Sequence, residues 1–332
     1  MDSGYPIPPR ELSVRHSRCL SHRRVGLSGS THPEVSVTTR RWMVALDESS
    51  TSEKIVHWTR TFPHPKDTVL TLVHVLGPLE LPDAIGSKGH QLLLQQQEAM
   101  VEALLDRARR LLEEVFASVE VILREGIPSQ EMLRLIHEHQ PDLVISGMGG
   151  FHQPSGLVLG SVSHRLLSFA PCSVLLVPGK VPREGGIRVM LATDGSPDAQ
   201  RAARVVATLP EVREVTIVSV VRPLGAEKLV LDRFRDPDSR KMQAEFLRHR
   251  RETAHQALEE AANALMAIPA PVRTQVLSGH PAEAIARAAR REEVDLLVVG
   301  SRGLTGVKAM ALGSVSHAVA QLATCPVLIV KP

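Results

Sequence analysis

Aromatic side chains are scarce in this chain, with two Trp, one Tyr and six Phe among 332 residues. So few stacking groups, on a portion without net positive charge beyond residue 41, argue against a nucleic-acid platform. Cysteine is equally sparse: Cys19, Cys172 and Cys325 are an odd set whose spacing suits neither a disulfide framework nor a thiolate metal site. No apolar run approaches the roughly 20 residues that span a bilayer. The N-terminus also lacks the apolar core of a secretory signal. The expectation is therefore a cytoplasmic protein without a membrane partner. Two phosphate-binding signatures, G-x-x-x-x-G-K-[ST] and G-x-G-x-x-G, are absent as well.

The net charge of +3 is unevenly spread. Residues 1–41 carry seven Arg against Asp2, Glu11 and Glu34. Residues 1–38 are also rich in Ser, Pro, Gly and His without periodicity, and are expected to form a disordered basic extension. The remainder has the apolar content of two ordinary domains, 43% of the whole chain being hydrophobic.

Those two domains are copies of one unit. "GMGGFHQPSGLVLGS" (147–161) and "GSRGLTGVKAMALGS" (300–314) share the pattern G-x2-G-x9-G-S at a shift of 153 residues. The same shift carries Gly126 onto Gly279 and Cys172 onto Cys325, while Asp47 falls on Asp194 at a shift of 147. So long a period means domain duplication, since solenoid repeats are far shorter. Expected boundaries are 39–180 and 185–332.

In the first copy the expected strands are 41–47, 68–76, 119–124, 142–146 and 172–177, with helical patterns at 49–61, 89–116, 129–139 and 161–169. In the second, strands are expected near 187–194, 215–221, 272–277, 295–299 and 326–330. Their nearly continuous Val/Ile/Leu content suits parallel strands covered on both faces. Alternating strand and helix predicts α/β folding, as two tandem doubly wound, Rossmann-like domains. Ligands of such sheets bind beyond the strands' carboxyl ends, where Asp47, Asp194 and both glycine loops stand.

The doubled loop, the strands ending at Asp47 and Asp194, "LTLVHV", "PDLVISG" and "VDLLVVG", and "GSVSH" leading to "APCSVLLV" or "ATCPVLIV" together resemble the universal stress protein family in tandem form. The resemblance covers residue 39 onward. It implies five parallel strands per domain in the order 3-2-1-4-5, and the family's ATP-binding branch. It implies that ATP, with Mg2+ or Mn2+ as ions that could accompany it, meets Asp47, Val75, Gly147, Gly150, Gly160, Ser161, Val162 and Ser163 in the first copy. In the second the set is Asp194, Val220, Gly300, Gly303, Gly313, Ser314, Val315 and Ser316. Glycines would let backbone amides approach phosphate, and the helices opening at Ser161 and Ser314 would favour an anion.

Plainer readings stand beside these. Asp47 and Asp194 could only cap a turn, Ser161 and Ser314 could be N-caps, and Arg302 could be an exposed loop residue. His164 and His317 read as solvent-facing, and His74, whose counterpart is Ser219, as structural. The leading expectation is a stress-response regulator acting through nucleotide-dependent conformation or through a protein partner that the sequence does not identify. The alternatives are a slow nucleotide hydrolase and a nucleotide-free scaffold. Loop two should bind ATP more tightly, because Ser301 and Arg302 replace Met148 and Gly149. By resemblance the final strands of the two copies should pair, making the chain a pseudo-dimer within itself; a homodimer could form through another face.

Overall fold

The computed structural model describes residues 40–78, 86–149, 159–178, 186–225, 237–304 and 312–332. The expected extension at 1–38 and Gly150 lie outside the described residues. The first unit runs β1 (Arg41–Leu46), α1 (Ser50–Thr61), β2 (Val69–Leu76), α2 (Gly86–Leu112), β3 (Ser118–Glu125), α3 (Pro128–His139), β4 (Leu143–Gly147), α4 (Ser161–Phe169) and β5 (Ser173–Val177). The second runs β6 (Ile187–Ala192), α5 (Pro197–Ala207), β7 (Val212–Val221), α6 (Pro237–Ala264), β8 (Val272–Ser278), α7 (Pro281–Arg291), β9 (Leu296–Gly300), α8 (Ser314–Leu322) and β10 (Val327–Val330).

Local chemistry sets the helix starts. Ser49 accepts a hydrogen bond from the Thr51 amide, and Ser196 from that of Ala199, each satisfying a first-turn N–H. Pro197, Pro128 and Pro281 sit in the first turns of α5, α3 and α7, where the missing N–H costs nothing.

All ten strands form one sheet in the order β3-β2-β1-β4-β5-β10-β9-β6-β7-β8. Each half is parallel with the expected 3-2-1-4-5 order, and the halves join where β5 meets β10 antiparallel. The register pairs Leu176 with Val327, Leu175 with Leu328 and Val174 with Ile329. Leu175 and Leu328 are equivalent under the repeat and pair with each other, so a pseudo-twofold axis passes between them. The junction covers two apolar edges that would otherwise template association.

Alternate side chains of the strands feed two opposite layers. Leu70 and Leu72 join Trp58, Leu105, Leu191 and Leu258 on the side of α1, α2, α5 and α6. Val73 and Val75 join Leu135, Leu166, Ala288 and Val319 on the side of α3, α4, α7 and α8. Burial on both faces is why these strands read as apolar runs rather than as alternation.

Two details escaped the sequence reading. His164 and His317 meet edge to face with ring centroids 5.4 Å apart, which brings α4 and α8 together across the pseudo-axis. Lys331, only 6% exposed, donates to the carbonyls of Leu166, Leu167 and Ala170 at 3.3, 2.8 and 2.6 Å, closing the C-terminal end of α4. The equivalent residue in the first unit is Pro178.

Candidate functional site

At the carboxyl end of each sheet half, the chain leaving the fourth strand and the chain entering the last helix lie side by side. The Gly160 amide donates to Met148 O and the Gly313 amide to Ser301 O, both at 2.8 Å. A Cβ on Gly313 would stand 3.2 Å from Ser301 O, so this closure leaves little room for a side chain. The wide spacing of the second and third glycines is thus an excursion whose two ends are tied together.

Beside that tie, α4 and α8 open with glycines at their N-caps, Gly160 and Gly313, in extended conformation and with no side-chain cap. Among the described residues, no side chain caps the first-turn N–H groups of Ser161, Val162 and Ser163, or of Ser314, Val315 and Ser316. Such a helix end attracts anions through its unpaired amides and its dipole. Ser161 and Ser314 are exposed at the mouth and are not the caps. Ser163 and Ser316 point the other way: their buried hydroxyls donate to Gly147 O at 2.5 Å and Gly300 O at 2.7 Å. They lock the strand end to the helix rather than face the mouth.

Asp47 and Asp194 follow β1 and β6. Asp47 Oδ1 accepts from the Ser49 amide and from the Ser49 and Ser52 hydroxyls at 3.1, 2.5 and 2.9 Å. Asp194 Oδ1 accepts from the Ser196 amide, and its Oδ2 accepts from the Leu304 amide at 3.0 Å, which ties the second glycine loop to the strand end. Gly303 makes that approach feasible, since a Cβ there would lie 2.4 Å from Asp194 Oδ2. Val75 is buried and Val220 half-buried on the α3/α7 side of the sheet. Val162 and Val315 pack against the same layer.

Asp198 is the residue that sequence reasoning missed. Its Oδ2 accepts from the Ser301 hydroxyl at 2.7 Å and from Arg302 Nε at 3.2 Å, while Oδ1 accepts from Arg201 at 2.8 Å. Burial works to raise the Asp198 carboxyl, but these hydrogen bonds outweigh it and hold it below the ordinary carboxylate range. Ser301 and Arg302, whose donors were the ground for expecting a tighter second loop, are engaged by Asp198. The only local hint was an Asp–Arg pair three residues apart on a helix, because Ser301 lies 103 residues away. Gly300 also has another purpose than close approach to a ligand. A Cβ there would meet the Asp198 carbonyl carbon at 2.6 Å and the Ala199 nitrogen at 2.7 Å, so the glycine admits the first turn of α5.

In the first unit Glu48 stands where the second has Gly195, whose φ is +79°. The His74 ring and the Gln97 amide beside it hold the Glu48 carboxyl down at about 2, against burial that works to raise it.

The universal stress protein family profile matches residues 38–178 and again 187–331. The chain belongs to the universal stress protein family. A universal stress protein of Mycobacterium tuberculosis is 26% identical over 300 residues, spanning 87% of this chain and 95% of the relative. A shorter universal stress protein of Thermus aquaticus is 38% identical over 143 residues, 43% of this chain and 97% of its own length. Among solved structures, a universal stress protein of Archaeoglobus fulgidus superposes with a TM-score of 0.60 at 21% identity, over 89% of this chain and 99% of that one. That likeness establishes the tandem fold. No helix among the described residues of this universal stress protein is long and apolar enough to cross a membrane.

Proposed function

We propose that this universal stress protein binds ATP at the carboxyl end of each sheet half and acts as a stress-response regulator, through nucleotide-dependent conformation or partner binding. The observation that carries the reading is the uncapped, glycine-opened N-terminus of α4 and of α8, set against a glycine-lined strand end. Those amides would hold phosphate oxygens, with Ser161 or Ser314 at the mouth. Asp47 with Val75, and Asp194 with Val220, would flank the nucleoside, following the family resemblance. A divalent ion arriving with the nucleotide would supply neutralising charge to its phosphates.

The second site is expected to be the tighter one, on different ground from the loop composition. With no ion bound to it, Glu48 adds an ionised carboxylate beside site one, whereas Gly195 adds none and Arg302 and Arg201 balance Asp198. Calorimetric titration of ATP into Ser161→Glu and Ser314→Glu variants tests both claims. An acidic residue in the first turn supports the helix while repelling an anion, so the fold survives and the site does not. Ser314→Glu is expected to weaken the tighter event by about tenfold or more, a loss of at least ~1.4 kcal/mol. Titrations unchanged by either substitution would refute the assignment of these helix ends. Nucleotide released on denaturing the purified protein should be intact ATP; ADP or AMP formed only in its presence would favour a hydrolase.

A further inference from the structure

A cluster on the α1/α2 side of the first unit has no equivalent in the second. His74 lies on β2 in the row of Leu70, Leu72 and Leu76, its ring 1% exposed. Neither ring nitrogen has a hydrogen-bond partner among the described residues. Nε2 faces Glu48 Oε1 at 3.5 Å. Gln97, one turn before Val101 on α2, places its Nε2 3.1 Å from the same carboxylate oxygen, and its own Oε1 is buried without a partner among the described residues. Buried polar atoms are nearly always paired, and unpaired ones call for an explanation. Here the unpaired His74 Nε2 and the Gln97 amide stand against one carboxylate oxygen.

We propose that His74, Glu48 and Gln97 bind a divalent first-row transition-metal ion, Zn2+ being the type. Two atoms ligating one tetrahedral ion at bonds of about 2.0–2.2 Å stand about 3.3–3.5 Å apart, which is the spacing of His74 Nε2 and Glu48 Oε1. Turning the Gln97 amide over about its terminal bond exchanges Nε2 for Oε1 without moving a heavy-atom position, and gives the third donor. One imidazole nitrogen with two oxygens suits a borderline ion such as Zn2+. Glu48, with 24% of its side chain exposed, leaves an approach from solvent and room for water as a fourth ligand. Among the described residues no three His, Cys, Asp or Glu side chains converge; this set reaches three through the amide oxygen.

The duplication supplies an internal control. Glu48 becomes Gly195 and His74 becomes Ser219. The helical shift that carries Val101, Leu105 and Ala108 onto Ala254, Leu258 and Ala261 carries Gln97 onto Arg250. All three donors are replaced together, one of them by a cation, in a unit of the same fold.

The ion alone is the probe, so the result does not depend on whether the nucleotide reading holds. Untagged full-length protein, stripped with chelator, is titrated with Zn2+ by calorimetry, and bound metal is counted by mass spectrometry after dialysis. Wild type is expected to hold Zn2+ at this site. Since even groups that merely orient a ligand change metal affinity about 10–100-fold, His74→Ser and Glu48→Gln should each weaken that event by about 100-fold. His74→Ser installs the residue the second unit carries there, and circular dichroism checks its fold. Should it unfold, Glu48→Gln, partly exposed and equal in shape, decides alone. A wild type that takes up no Zn2+, or uptake undiminished in the folded variants, overturns the proposal; the latter places the ion elsewhere, as on His164 and His317.

Discussion

Replacing Gly300 with alanine is expected to destabilise the protein by about 3 kcal/mol, the upper range for overpacking a close-packed interior. The added Cβ would stand 2.6 Å from the Asp198 carbonyl carbon, 2.7 Å from the Ala199 nitrogen and 2.9 Å from the Asp198 oxygen. These are backbone atoms of the first turn of α5, so no side-chain rotation relieves the clash. Either β9 or α5 must shift, and the hydrogen bonds of Ser301 and Arg302 to Asp198 would shift with them. Gly147→Ala is the matched comparison. Its Cβ would meet the Cδ1 of Ile55 at 3.2 Å and nothing else closer than 3.4 Å. A methyl at the end of a flexible side chain can yield, so a cost of about 1 kcal/mol or less is expected there. Urea denaturation of the two variants measures the difference. Equal losses would mean that strand ends, not the neighbouring helix, set the requirement for glycine.

Replacing Lys331 with methionine is expected to produce a loss that grows with pH. The substitution leaves the Leu167 and Ala170 carbonyls without the ammonium, while the Leu166 carbonyl keeps the Ala170 amide. Unpaired buried acceptors are costly, but so is a buried cation, and at pH 7 the two oppose each other to leave a net loss of about 1 kcal/mol. Burial pushes the folded Lys331 pKa down to about 8, with the nearby Cys172 working weakly to raise it. Between pH 8 and 10.5 the unfolded chain still holds the proton that the folded chain has released. Wild-type stability therefore rises through that window relative to the variant, by roughly 3 kcal/mol. Cys172, pushed up to about 11 by burial, acts in the opposite sense above pH 9. It is present in both proteins, so subtraction isolates most of the lysine effect. A stability difference that stays flat from pH 8 to 10.5 would sink the account.

The strands and their order were legible because a parallel sheet buried on both faces writes itself as apolar runs, and the repeat supplied each run twice. Strand ends were less legible: the run 187–194 was expected to be strand throughout, yet β6 stops at Ala192 because Gly195 turns at positive φ. The glycine loops were legible as a pattern, whereas the purpose of each residue was not. Ser163 and Ser316 read as donors to a ligand, and their hydroxyls bond strand carbonyls 16 residues back. The Asp198–Ser301 bond, the His164–His317 contact and the Lys331 cap were invisible, since each joins residues more than 100 positions apart.

Joining β5 to β10 within one chain also changes what selection can alter. In a dimer of identical chains every substitution appears on both sides of the axis, so a lysine that suits one helix terminus must be tolerated at the other. Here one half carries Lys331 where the other has Pro178, and Glu48 where the other has Gly195. Tethering also makes the central pairing independent of protein concentration, because the second half is always present at the first. The covalent link thus freed two once-equivalent halves to become specialists without giving up the seam that holds them together.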